Sequence, residues 1–199
     1  MAGLMNCPPL CIIQARYASV RLPGKMCMML GDETLAARSW RIACAAFGKA
    51  NSVVAIPARD EDGPLGEELR RIGATIFAYL GDESDVLGRF RACAWQYRWH
   101  PDSIIVRYTA DDPFKDLRAL HRVACGERLP VEIGGEAFTL GKLEETWQRL
   151  SRVADSYLHE HLTNALFATD PPPCPPGAWT IDTLDQLNAA RVKLAEMEE

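Results

Sequence analysis

The segment Gln14-Ala-Arg-Tyr-Ala-Ser-Val-Arg-Leu-Pro-Gly-Lys25 gathers three cations, a hydroxyl and a glycine into one stretch. Arg16 and Arg21 carry forked donors, Lys25 is a mobile point charge, and Ser19 adds a short polar side chain. This set suits the oxygens of a triphosphate, which call for several positive charges and for backbone N–H groups that come close. Gly24 has no Cβ and permits that approach. Gln14 and Ala15 open the segment and join Ser19, Arg21 and Gly24 as candidate substrate-binding residues. The spacing is not the Gly-x4-Gly-Lys-Ser/Thr phosphate loop, so residue types alone leave a solvated basic loop as the alternative.

Two carboxylate positions complete the chemistry. Thr109-Ala-Asp-Asp-Pro113 follows an apolar run and is halted by proline. Asp111 is the preferred Mg²⁺ ligand there, because Mg²⁺ takes oxygen donors and keeps waters and substrate phosphates. Asp112 or Asp116 fits better as the cap of the helix that follows. Trp179-Thr-Ile-Asp-Thr183 also ends in a carboxylate before a helix. Asp182 is open to two readings, a second metal ligand or the N-cap of the last helix.

These motifs need a scaffold that brings them together. Leu10–Ala15, Ser52–Ile56, Ala74–Tyr79 and Ser103–Tyr108 read as strands, and helices are expected at Thr34–Phe47, Leu65–Ile72, Asp85–Trp99 and Asp116–Cys125. Asp32 or Thr34 is the expected N-cap of the first helix. Such alternation predicts an α/β fold with three layers, a mainly parallel sheet covered by helices on both faces. Further on, Val131–Thr139 reads as a strand interrupted at Gly134-Gly135. Leu140–Leu150 and Val153–Leu166 read as helices, Trp179–Asp182 as a short strand and Thr183–Met197 as a final helix. In an open sheet of this kind ligands bind outside the carboxyl ends of the strands, where the loop, Asp111 and Asp182 all fall.

Composition sets the outer limits. With 199 residues, 48% hydrophobic and 25% charged, the chain fits one globular domain, 1–199. A formal charge of −5 argues against a general nucleic-acid binder. No apolar run approaches a membrane span, and the first residues do not read as a secretory signal, so a cytoplasmic protein is expected. The seven cysteines are an odd number without a Cys-x-x-Cys pair, and read as reduced thiols, with Cys174 the exposed one. His159 and His161 flank Glu160, but a His-x-His pair on a helix points its rings apart, so zinc is the weaker reading.

The run Ile12-Ile-Gln-Ala-Arg-Tyr-Ala-Ser-Val-Arg-Leu-Pro-Gly-Lys25 resembles the signature of the cytidylyltransferases that activate sugar acids, above all their spore-coat polysaccharide relatives. Four further segments follow in order. Glu83-Ser-Asp-Val-Leu-Gly-Arg-Phe90 resembles EEDVLGRF, Val106–Pro113 resembles VRITGDCP, Glu160-His-Leu-Thr163 resembles EHVT and Trp179–Thr183 resembles WTVDT. The resemblance implies a nucleotide-diphospho-sugar transferase type of fold, which is Rossmann-like. It implies that Arg16, Ser19, Arg21, Gly24 and Lys25 bind the phosphates of CTP or another nucleoside triphosphate, and that Asp111 and Asp182 hold Mg²⁺. Arg16, Lys25 and Asp111 are then the catalytic candidates. Asp85 and Arg89 are expected near the nucleotide, and Glu160 and His161 near a sugar or sugar-acid acceptor.

Relatives of this kind are often homodimers, and the segment after Val131 is the expected contact region. Of the departures from the family pattern, two bear most on function. Ala110 stands in place of a glycine, and the chain is shortened around residues 126–131, where the family carries a strand and a loop enclosing the acceptor. These departures keep a second function open, a catalytically degenerate nucleotide-binding or regulatory protein on the same scaffold.

Overall fold

A computed structural model describes residues 8–152, 156–174, 176 and 180–198. Leu-Cys-Ile-Ile-Gln forms β1 (Leu10–Gln14), buried on both faces. A small antiparallel hairpin, β2 (Met29–Leu30) with β3 (Glu33–Thr34), leads into α1 (Leu35–Phe47). Strands of two residues carry no periodicity, so the sequence reading has no hairpin there. Of the two candidate caps it is Thr34 that acts, its hydroxyl accepting from Ala37 N at 3.1 Å. Then come β4 (Ser52–Pro57), α2 (Pro64–Arg71), β5 (Ile76–Tyr79), α3 (Val86–Tyr97), β6 (Ile104–Thr109) and α4 (Leu117–Ala124). The chain continues through α5 (Val131–Gly134), β7 (Glu136–Thr139), α6 (Leu140–Leu150), α7 (Ser156–Glu160), α8 (Leu162–Leu166) and α9 (Leu184–Glu198). Among the described residues no helix is long and apolar enough to cross a membrane.

The sheet runs β5-β4-β1-β6-β7, parallel except for the antiparallel edge strand β7. The chain therefore builds outward from β1 through β4 to β5, then crosses back to place β6 on the other side of β1. That reversal opens a crevice between the carboxyl ends of β1 and β6. Side chains alternate across the sheet. Cys11, Ile13, Val54, Ile56, Val106 and Tyr108 face one core with α1, α2, α4 and α9, whereas Leu10, Ile12, Val53, Ala55, Ile105 and Phe138 face the other with α3, α6 and α8. Burial on both faces is why the central strands read as continuous apolar runs. The three-layer α/β fold is as the residues predict.

Three expectations change. Val131–Gly134 is a single helical turn and not the start of a strand. Pro130 O accepts from Ile133 N and Gly134 N at 3.1 and 3.0 Å, and Lys115 Nζ holds Val131 O at 2.5 Å, so tertiary bonds override the β-branched composition. The expected Val153–Leu166 helix is two short helices that part at His161, with residues 153–155 outside the described set. Residues 180–182 join no ladder; Ile181 N donates to Asp111 O, in the turn just beyond β6, at 2.8 Å. Trp179 lies outside the described residues. Cys11, Cys27, Cys44, Cys93, Cys125 and Cys174 form no disulfide among the described residues, and burial pushes Cys11 and Cys93 far above the ordinary thiol range.

Gly135 lets β7 pair with β6. Its φ is +68°, and a Cβ there would lie 2.4 Å from Arg107 O. Gly135→Ala is therefore expected to destabilise the fold by about 2 kcal/mol, read from urea denaturation. A second test concerns α3 and α6. Glu144 accepts from Arg91 Nε at 2.7 Å, Trp95 Nε1 at 3.0 Å and Gln148 Nε2 at 3.0 Å. The Arg91 hydrogen bond in particular holds its carboxyl down at about 2. A depressed folded value means stability present above the unfolded value near 4.5 and lost as the pH falls toward 2. Solvent reaches this carboxylate and screens it, so Glu144→Gln should cost only about 1 kcal/mol at pH 7. The difference between variant and wild type should close between pH 4.5 and 2 in denaturation midpoints.

Candidate active site

Beyond β1 the chain folds into a loop set by its own backbone. Tyr17 O accepts from Ser19 N at 3.0 Å and from Gly24 N at 2.9 Å, and Tyr17 N donates to Asp60 Oδ2 at 2.8 Å. Gly24 adopts φ +72°, a conformation that disfavours any side chain. Its N–H is committed to Tyr17 O, so the glycine is needed to make the turn. Of the residues singled out by sequence, Gln14, Ala15, Arg16, Ser19, Arg21, Lys25, Asp111 and Asp182 line one cleft at the β1–β6 crevice.

The organising contact in the cleft is Lys25. Its side chain is 7% exposed. Its ammonium donates to Asp111 Oδ2 at 2.8 Å, Ile181 O at 2.7 Å and Asp182 Oδ1 at 3.0 Å. All three of its donors are used, so Lys25 is fixed where the residue type alone suggests mobility. Arg21 Nη2 reaches the other oxygen of Asp182 at 2.7 Å while two-thirds of its side chain stays in solvent. Arg16 lies 3.6 Å from Glu83, a carboxylate it shares with Arg59.

Asp182 is free for this because it does not cap α9. Thr183 Oγ1 accepts from Gln186 N at 3.2 Å, and Gln186 Oε1 accepts from Thr183 N at 2.9 Å and Asp182 N at 2.8 Å. The Thr-x-x-Gln spacing is a capping box, and it holds the Asp182 backbone while releasing its carboxylate.

Asp112 points away from its neighbour. Oδ2 accepts from Lys115 Nζ at 2.8 Å and from the Thr109 hydroxyl, and Oδ1 from Thr180 Oγ1 at 2.5 Å. Burial alone would raise this carboxyl. The Lys115 charge and the bonds from Lys115, Thr109 and Thr180 outweigh burial and hold it below the ordinary value. Asp116, as expected of one of this group, caps α4 by accepting from Ala119 N at 2.8 Å.

A family model described as cytidylyltransferase matches residues 10–125, from β1 to the end of α4, including the basic loop and Asp111. The chain belongs to the cytidylyltransferase family. It is 35% identical to the spore coat polysaccharide biosynthesis protein SpsF of Bacillus subtilis over 167 residues, which is 76% of this chain and 67% of that protein. It is 31% identical to 3-deoxy-manno-octulosonate cytidylyltransferase of Methylococcus capsulatus over 137 residues, 67% of this chain and 51% of that one. The chain thus spans about two-thirds and about half of these two relatives. A solved cytidylyltransferase from Leptospira borgpetersenii shares the fold, with a TM-score of 0.77 at 22% identity over 95% of this chain and 87% of that one.

Within this cytidylyltransferase fold, four residues expected near substrates stand outside the cleft. Asp85 caps α3, accepting from Gly88 N at 2.9 Å, and also accepts from Tyr79 OH at 2.9 Å and His159 Nδ1 at 2.7 Å. Burial, then these Asp85 contacts, pushes Tyr79 up to about 12. Arg89 is 1% exposed on α3, enclosed beside the apolar face that packs on the sheet, and burial presses its pKa down to about 10. Its Nε and Nη1 have no partner among the described residues. Glu160 and His161 are exposed because the chain breaks between α7 and α8, and the His161 ring packs on Tyr157 at 4.2 Å.

Two polar cleft residues had no role assigned from sequence, Arg107 and Thr109. The strand Ile-Ile-Val-Arg-Tyr-Thr carried the signal, since alternation places Arg107 on the face of Ile105, where a charge needs a reason.

Replacing Lys25 by Met would leave Asp111 and Asp182 facing each other without the ammonium between them, with only the solvent-exposed Arg21 still on Asp182. A loss on the order of 3 kcal/mol in unfolding free energy is expected from urea denaturation of Lys25→Met.

Proposed function

We propose that the chain binds CTP in the β1–β6 cleft and transfers its CMP group to a hydroxyl of a sugar or sugar acid, releasing pyrophosphate. The observation that carries this reading is the convergence of Asp111 and Asp182 on one cation position beneath a loop bearing Arg16, Arg21 and Lys25. Family membership and the named activity of the Methylococcus relative support the choice of CTP.

In the reaction the acceptor oxygen bonds to the α-phosphorus as the bond to the bridging oxygen breaks. The electron pair leaves with pyrophosphate, and the hydroxyl proton passes to solvent. The protein's own part is positioning and charge stabilisation. Arg16 and Arg21 stand at the rim with donors free for phosphate oxygens, and the loop that carries them is folded in advance.

The donor set also fits Mg²⁺, which is bound by one or two carboxylates together with phosphates and waters. The Lys25 ammonium marks the point where Asp111 and Asp182 together accept a positive charge. Held beside Lys25 by the remaining lone pairs of Asp111 and Asp182, Mg²⁺ would neutralise charge on the departing pyrophosphate.

Isothermal titration of CTP, UTP, ATP and GTP with and without Mg²⁺ tests the reading. CTP should bind in preference, more tightly with Mg²⁺, and Lys25→Ala or Asp111→Ala should weaken it at least tenfold. Absence of binding by every nucleotide would sink the proposal. Binding without pyrophosphate release across sugar-acid acceptors would turn it to the second function, a nucleotide-binding protein on this scaffold, which Ala110 and the shortened 126–131 segment keep open.

A further inference from the structure

The sheet face shared by Leu10, Ile12 and Ile105 turns polar where it reaches the cleft. Register pairs Ile12 with Arg107, Gln14 with Thr109, and Arg107 with Glu136 of β7. Arg107 Nε donates to Gln14 Oε1 at 3.0 Å, and Nη1 donates to Glu136 Oε2 at 2.6 Å and to Thr163 Oγ1 at 3.1 Å. The Thr163 hydroxyl donates to the same Glu136 oxygen at 2.8 Å. Four elements, β1, β6, β7 and α8, thus lock one guanidinium.

Stability gives this arrangement no reason. Glu136 is 4% exposed and its Oε1 has no partner among the described residues. A buried ion pair left partly unsatisfied is no more stable than packed apolar side chains of the same volume. What the arrangement does is aim donors. Arg107 and Gln14 both line the cleft. Among the described residues Arg107 Nη2 has no partner, and the bond to Gln14 Oε1 turns the Gln14 amide nitrogen free. The cleft wall on the β6–β7 side therefore offers N–H donors from two side chains, on the opposite side of β1 from the β4–β5 half of the sheet.

We propose that Arg107, with Gln14 beside it, is the specificity-determining residue for the acceptor, and that it reads a carboxylate. The proposal rests on the transferase reading above, which supplies the nucleotide half of the cleft. With Nε and Nη1 engaged, Arg107 Nη2 and the Gln14 amide nitrogen beside it can each donate to one oxygen of a carboxylate. Glu136 neutralises the charge of Arg107, so the pair offers hydrogen bonds without a net positive field, which disfavours a phosphate dianion. Glu136 and Thr163 are positioning residues that act through Arg107.

The test separates nucleotide from acceptor. CTP affinity is measured by titration for wild type, Arg107→Met, Arg107→Lys and Glu136→Gln. Acceptor binding is then measured with a CTP analogue carrying a methylene bridge between the α- and β-phosphates, which blocks turnover. The probes are 3-deoxy-manno-octulosonate and N-acetylneuraminate, each against its carboxamide. Wild type should bind at least one acid tenfold or more above its carboxamide. Arg107→Met should lose that discrimination with CTP affinity held within about twofold, and Arg107→Lys should restore part of it. Glu136→Gln should shift acceptor affinity alone. If Arg107→Met does not fold, Arg107→Lys and Glu136→Gln carry the comparison. Equal binding of acid and carboxamide overturns the proposal, as does no binding of either acid to wild type, or a parallel loss of CTP affinity in Arg107→Met. Failure of wild type to bind CTP at all strikes the transferase reading first, and this assignment with it.

Discussion

A buried ammonium must find acceptors, and Lys25 finds them on two segments that lie 86 and 157 residues further along the chain. An unpaired charge in that position would cost several kcal/mol, so folding cannot finish without bringing the β1 loop, the end of β6 and the segment before α9 to one point. The requirement is mutual. Asp111 and Asp182 are two like charges that tolerate proximity because Lys25 lies between them. The cleft is in this sense a product of one charge-balancing contact, with the rest of the site arranged around it.

Two supports keep that contact in register. Asp111 and Asp112 are adjacent, yet they face opposite ways. One turns to Lys25 in the cleft and the other to Lys115, Thr109 and Thr180 behind it. The second pair ties the end of β6 both to residue 180 and, through Lys115, to the turn at Val131. On the other flank the Thr183–Gln186 box occupies Gln186 N in the first turn of α9 and the two N–H groups just before the helix, which spares the Asp182 carboxylate from capping. The basic loop is likewise folded before any ligand arrives, through Tyr17 O and Asp60. Binding then costs little ordering of that backbone.

The polar end of the α3 face follows another logic. Strands buried on both sides have no room for a charge except where they run out at the carboxyl edge. Gln14, Arg107, Thr109 and Glu136 all stand there, on the face that Leu10, Ile12, Ile105 and Phe138 fill further down. The same strands therefore supply core at one end and recognition at the other. The shift from apolar to polar marks where packing stops and chemistry begins.

Much of this could be read from residues alone. Apolar runs and helical spacing define the parallel sheet and its two helical layers, because those patterns are local consequences of burial on two faces or one. The basic loop, Asp111 and Asp182 announce themselves by residue type, and sheet topology sends them to a common edge. What sequence could not decide is pairing. Whether Asp182 caps a helix or faces Lys25 depends on Gln186, whether Lys25 is mobile or fixed depends on a carbonyl at Ile181, and Arg107 gains its purpose only when β7 and α8 bring up Glu136 and Thr163. Val131–Gly134 has a strand's composition and a helical turn's geometry for the same reason. Hydrogen-bond partners far apart in the chain are chosen by the packed fold, whereas the patterns that drive the packing are written along the chain itself.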